Sequence, residues 1–247
     1  MNTAEVALLC AGALLGGFTS GMTGFGFALM ASGLWLLALP PVTAIPLLGL
    51  SMVAASLTAL PRVARLIDPG RAIPLILGGA CGVPIGILIL PHVPVTAFKI
   101  AVAGMIVLNL GAAWLLSDRP ALPPEAERFH PVAGFLGGVA GGISALSGVV
   151  MTIWAGLFGW TKDRRRGVFQ AYNLSMGLIA VVTFALRGML TSDVLAAARI
   201  AVPLAIGASL LGVATFLHLG NVGFSRVTNG ILALSATALV LSALLGG

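Results

Sequence analysis

The sequence predicts an all-α integral membrane protein made of two inverted-topology repeats, each a broken, re-entrant-type helical hairpin followed by three transmembrane helices. Three observations predict it: an almost uncharged apolar composition, a glycine-interrupted segment that occurs twice, and the sorting of basic residues among the gaps between apolar runs.

Hydrophobic residues fill 59% of the 247 positions and charged residues only 8%, with a mean hydropathy of +1.10. A soluble domain carries about 25% charged residues, so a water-soluble core does not account for this chain. The length accommodates roughly eight spans of about 20 residues with little left over, which makes residues 1–247 a single membrane transport domain. The formal charge of +6 does not mark a nucleic-acid partner, because the 13 Lys and Arg residues sit mainly in short gaps between apolar runs. Cys10 and Cys81 lie inside apolar segments and read as small buried hydrophobes. Glu5 precedes the first apolar run and no Lys or Arg does, so that run is expected to be retained and not cleaved as a signal peptide.

Apolar runs bounded by Pro, Gly or charge fall near 4–39, 42–61, 72–91, 94–117, 131–160, 166–187, 194–218 and 224–245. The first and fifth are too long for one span and are interrupted by glycine-rich stretches, Gly16 to Gly26 and Gly137 to Gly148. Helix is disfavoured by so many glycines. The two stretches correspond. A shift of 124 places Ser20 on Ser144, Gly24 on Gly148 and Leu50-Ser51-Met52 on Leu174-Ser175-Met176, and a shift of 126 places Gly86 on Gly212, His92 on His218, Phe98 on Phe224 and Gly104 on Gly230. The chain therefore divides into repeat 1 (about 1–117), a linker (118–130) and repeat 2 (about 131–247).

Basic residues choose the topology. If each broken segment crossed once, Arg62, Arg65, Arg71, Arg119, Arg128, Arg187 and Arg199 would face Lys99, Lys162, Arg164, Arg165, Arg166 and Arg226, which is no asymmetry. If each is a hairpin, only Lys99, Arg187 and Arg199 stand opposite the other ten. A hairpin plus three spans has odd parity, so the second repeat enters from the opposite face, as in transporters. Both termini are then external, and loops 62–71, 118–130 and 161–166 cytoplasmic. Hairpin arms of about 14 residues reach only about 21 Å.

Irregular backbone at membrane depth is tolerated where it lines an internal site, and the helix resuming after each break offers free N–H groups and the positive end of its dipole to an anion. Thr19, Ser20, Thr23, Gly24, Phe25 and Gly26 of one half are expected to face Ser144, Ser147, Gly148 and Val149 of the other across a wet cavity. Arg166, Gln170 and Asn173 share one helical face beside them, and Asn109 is a further intramembrane polar candidate; Tyr172 and Asn229 are others. The seven acids all fall in termini or loops, leaving no intramembrane carboxylate to relay protons or hold sodium. No metal cluster, Cys-x-x-Cys or phosphate-cradling loop is present, so the expectation is a non-enzyme without cofactor or metal. Its partners are a small anion and the lipid bilayer, with a homo-oligomer left open.

At Gly-Gly-Phe-Thr-Ser-Gly-Met-Thr-Gly-Phe-Gly (Gly16 to Gly26), its counterpart at Gly137 to Gly148, and the Gly159-Trp160-Thr161-Lys162 to Arg166 stretch, the chain resembles the TauE/SafE family. The resemblance implies a bacterial inner-membrane permease that exports sulfite, sulfoacetate or related organosulfonates, with the glycine segments and Arg166 as substrate-site residues. Many relatives have a fuller glycine or Gly-Pro run where this chain has Gly24-Phe25-Gly26-Phe27 and Ser147-Gly148-Val149-Val150. Phe25 and Phe27 would then form an apolar wall that favours an organosulfonate with a carbon chain. Two other readings stand beside the permease: a membrane assembly protein in which the glycines serve packing only, and an anion channel.

Overall fold

The computed structural model describes residues 2–94, 121–145 and 147–219, with single helical positions at 104, 107, 108, 111, 223, 227 and 230. Asn109 and Asn229 lie outside the described residues, as do most of the expected segments 94–117 and 224–245. The described residues form α-helices α1 (Thr3–Thr23), α2 (Phe27–Ala38), α3 (Pro41–Val63), α4 (Pro69–Ile89), α5 (His130–Ser144), α6 (Ser147–Leu157), α7 (Lys162–Leu186) and α8 (Ser192–His218), with 3-10 turns at Ala64–Leu66, Leu90–His92 and Pro124–Phe129 and no strand. Five helical stretches among them are long and apolar enough to cross a membrane: Thr3–Thr23, Pro41–Leu66, Pro69–Ile89, Lys162–Leu186 and Ser192–His218.

Helix starts are set locally. Asn2 and Glu5 form a capping box on α1, and the Thr161 and Thr191 hydroxyls accept N–H bonds from the first turns of α7 and α8. The acids follow the same logic, with Glu5, Asp163 and Asp193 in first turns and Asp68 at the start of α4. The outward faces are apolar: Ile73, Leu77, Ile85 and Leu88 make an exposed stripe along α4, a surface that lipid covers. Cys81 lies on this stripe and is exposed, while Cys10 is half-buried and both thiols are free. The expectation of two buried cysteines therefore fails at Cys81, because α4 turns that face outward.

Packing between the two parts of the chain is reciprocal: α1 runs along α8, and α5 along α4. Gly17 and Gly21 press on the backbone of Ala205 and Ser209, while Gly138 and Gly142 press on that of Gly79 and Val83. From the other side, Gly212 meets Phe18 and Gly86 meets Val139. A Cβ at any of these six glycines would strike a backbone carbonyl oxygen, so they are close-packing surfaces.

Two sequence expectations are corrected here. The stretches Gly16 to Gly26 and Gly137 to Gly148 are mostly continuous helix, because close contact with α8 and α4 holds their glycines helical; among the described residues the interruptions shrink to residues 24–26 and to Ala145. The arms expected at about 14 residues have 21 and 12 residues in the first hairpin and 15 and 11 in the second. The glycine packing contacts of the two parts also line up with a different offset from the sequence identities. Gly86 and Gly212 keep the offset of 126, but Gly17 corresponds in packing to Gly138 and Gly21 to Gly142, an offset of 121 and not 124. Ser20 with Ser144 and Gly24 with Gly148 match in sequence three residues away from the pairs that match in contact.

Candidate functional site

The first break is built by three residues. Gly24 and Gly26 both adopt left-handed backbone, φ 83° and 88°, which glycine enters without steric cost. The Gly24 N–H donates to the Ser20 carbonyl at 2.8 Å. Thr23 satisfies the backbone in between: its hydroxyl oxygen accepts from the Phe25 N–H at 3.2 Å, and its single proton is offered to the carbonyls of Phe25 (2.6 Å) and Thr19 (2.9 Å). The second break is tighter. Ala145 takes the left-handed conformation at φ 59°, and its N–H donates to the Gly141 carbonyl at 2.7 Å.

The two breaks touch. Phe25 packs on Gly148, where an added Cβ would lie 2.8 Å from the Phe25 Cβ, and its ring meets Phe169 edge-on at 5.2 Å. Along α7, Arg166, Gln170 and Asn173 form a polar row at i, i+4 and i+7 that ties both breaks together. Arg166 donates from Nη2 to the Gly21 carbonyl at 2.8 Å and from Nη1 to the Gln170 side-chain oxygen at 2.5 Å. Gln170 donates to the Ser56 carbonyl at 2.7 Å. Asn173 donates to the carbonyls of Gly24 at 3.3 Å and Phe169 at 2.9 Å, and its oxygen accepts the Ser147 hydroxyl at 2.8 Å.

Arg166 is wholly buried, 0% exposed. Among the described residues no carboxylate pairs with it, and its Nε has no acceptor. An uncompensated buried cation costs several kcal/mol. Arginine presents five N–H donors in a planar fork suited to an oxyanion, and among the described residues neutral oxygens engage one donor on each terminal nitrogen.

Of the residues expected in the site, Thr23, Gly24, Phe25, Ser147, Gly148, Arg166, Gln170 and Asn173 come together. Thr19, Ser20, Gly26 and Ser144 support the breaks from behind: Thr19 underlies Gly26, Ser20 lends its carbonyl, and the Ser144 hydroxyl donates to Ala140 at 2.8 Å. Tyr172 donates to the Gly134 carbonyl at 2.7 Å, away from the row, and Phe27 pairs with Trp35 inside the first hairpin, leaving Phe25 alone of the two phenylalanines at the junction. Sequence reasoning missed the Gly21 and Ser56 carbonyls, which no side chain announces, and the Phe169 ring. It also passed over Ser51, whose buried hydroxyl has no partner among the described residues, although the repeated Leu-Ser-Met marked it.

The space beside Ser147, lined also by Gly141, Met52, Met176 and Phe184, measures about 10 Å³, close to the room one water needs. Phe25 fills the gap between the breaks. No group of His, Cys, Asp and Glu suited to a metal occurs among the described residues.

No curated protein and no solved structure matches the chain. One family does, described as Sulfite exporter TauE/SafE, over residues 8–239. That span contains both breaks and the whole polar row of α7, and on it the chain belongs to the TauE/SafE sulfite exporter family.

Proposed function

We propose that the chain is a bacterial inner-membrane permease that exports a small sulfur oxyanion, an organosulfonate in preference to sulfite, by alternating access at the junction of the two breaks. The family supplies the broader class, a multi-pass membrane transporter of the sulfite and sulfonate exporter kind and not an enzyme. The observation that carries the finer reading is Arg166, a fully buried cation that has, among the described residues, no acid partner and no acceptor at Nε, held where both breaks converge. A sulfonate offers three oxygens. Two would take the Nε and one Nη of Arg166, displacing Gln170 or the Gly21 carbonyl, and the third would meet the Ser147 hydroxyl and the amides opening α6. Phe25 would contact the carbon chain, which favours an organosulfonate over bare sulfite.

The reciprocal packing of α1 on α8 and α5 on α4 supports the inverted design, with repeats at 1–117 and 131–247, a linker at 118–130, external termini and cytoplasmic loops at 62–71, 118–130 and 161–166. Opening at either break would expose the site to one side at a time. An interior-negative potential drives an anion outward with about 2.3 kcal/mol per charge per 100 mV, so export needs no coupling ion. The packing role of Gly17, Gly21, Gly138 and Gly142 fits the assembly-protein alternative, but it does not explain Arg166. The test is flux in proteoliposomes: ethanesulfonate should move faster than sulfite without large currents. Absence of flux for both anions would overturn the permease reading, and large currents would favour a channel.

A further inference from the structure

The approach to Arg166 carries a second cation and an aromatic ring between the two charges. Lys162 opens α7 one turn before Arg166, on the same face. Its Nζ lies 4.6 Å from the centroid of the Phe216 ring, and the Arg166 guanidinium lies 5.7 Å from the centroid of that same ring. Lys162 is half-buried and donates to the Leu219 carbonyl at 2.5 Å. Phe216, near the end of α8, is 2% exposed and packs with Met22, Phe18 and Leu66.

This placement opposes ordinary electrostatics. Two like charges one turn apart repel, and the start of a helix disfavours cations. Asp163 stands between them in sequence, yet it is exposed and forms no ion pair with either among the described residues. Both cations instead rest on the face of one ring, a weak substitute for an anion. An oxyanion passing from Lys162 to Arg166 would neutralise each in turn, and to do so it must move the ring.

We propose that Lys162 is an outer station for the oxyanion and Phe216 the gate between it and the buried Arg166. The inference rests on the permease reading above. Phe216 in place seals Arg166 from the mouth of α7, and swinging it aside lets the anion exchange the Leu219 carbonyl and the ring face for the Arg166 fork. Lys162 sets capture and Phe216 sets closure; neither takes the anion at the junction itself.

The experiment is ethanesulfonate flux, measured from the side that Lys162 faces, with chloride leak recorded in the same vesicles. Lys162→Gln should raise the half-saturation concentration about fivefold to tenfold with little change in maximal rate, and flatten its dependence on ionic strength. Lys162→Arg should restore both. Phe216→Ala should raise the chloride leak several-fold, and Phe216→Leu, which keeps the apolar volume but not the ring, should show a smaller rise if the alanine variant does not fold. Half-saturation unchanged in Lys162→Gln, or leak unchanged in a folded Phe216 variant, would overturn the gate. Wild-type vesicles that carry no sulfonate would instead overturn the permease reading on which it rests.

Discussion

The two breaks have the same task and are built differently. The first spends two left-handed glycines and a threonine hydroxyl on a three-residue interruption, and it follows a 21-residue helix long enough to cross a bilayer. The second has a left-handed alanine, Ala145, after a 15-residue helix. The first uses glycines that enter the left-handed region freely, whereas at Ala145 the second stores strain, since a non-glycine residue in that conformation costs about 1–2 kcal/mol. They differ again in how α7 holds them. Arg166 and Asn173 grip backbone carbonyls at the first, Gly21 and Gly24, whereas α7 meets the second through the Ser147 side chain and holds α5 farther back, where Tyr172 donates to the Gly134 carbonyl. At the junction itself, the end of the first hairpin is therefore the anchored wall and the start of α6 the part more easily displaced.

Removing the shared element should have the largest effect. Arg166→Gln is expected to abolish sulfonate flux, by about 100-fold or more in proteoliposomes, and Arg166→Lys should not restore it because a point charge replaces the fork. The next test exchanges the chemistry of the breaks. Gly24→Ala forces a left-handed alanine whose Cβ would lie 2.5 Å from the Arg166 Nη1, a loss of about 2–4 kcal/mol visible as a lower unfolding temperature in detergent. Ala145→Gly should be neutral or stabilising by up to about 1 kcal/mol in the same measurement, since the strain is relieved. An equal loss in both variants would show that the breaks are not distinguished by backbone strain.

A smaller effect is expected from the hydroxyls. Thr23→Val removes the acceptor for the Phe25 N–H and should cost about 1–3 kcal/mol, while Ser147→Ala, which cuts only the link to Asn173, should cost about 1 kcal/mol. If Ser147→Ala proved the more damaging, the assignment of the end of the first hairpin as the anchored wall would be reversed.

The smallest effect lies at the outer end of the second hairpin, where Arg71 at the start of α4 bridges Asp68 and Glu127, the latter on the 3-10 turn leading into α5. The Arg71 guanidinium bonded to Asp68 holds that carboxyl below its ordinary value of 3.8. A depressed carboxylate stabilises the fold above its unfolded value, and the benefit is lost as pH falls through the folded one. Asp68→Asn should therefore shrink the acid-induced drop in unfolding temperature below about pH 4, by well under 1 kcal/mol because the pair is partly solvated.

Sequence and structure part company at identifiable points. Hydropathy alone carries the fold class, and the spacing of Arg166, Gln170 and Asn173 places them on one face, because both depend on side chains at fixed helical intervals. The width of the breaks was not legible. Gly17, Gly21, Gly138 and Gly142 look like helix breakers until α8 and α4 press against them, and that contact belongs to residues nearly two hundred positions away in one case. The offset of the packing contacts was hidden for a related reason: matching serines and glycines by identity gives 124, whereas contacts match by which Cα lets a neighbouring carbonyl approach. The Gly21 and Ser56 carbonyls were invisible because every residue has one.

The central claim is that the two breaks and α7 form an oxyanion site on Arg166. Equilibrium binding of ethanesulfonate to purified protein tests it most directly, compared among wild type, Arg166→Gln and Arg62→Gln, the last removing a basic residue at the exposed end of α3. The account predicts saturable binding that survives Arg62→Gln and vanishes with Arg166→Gln while the fold is retained. Equal affinity in folded Arg166→Gln would contradict it.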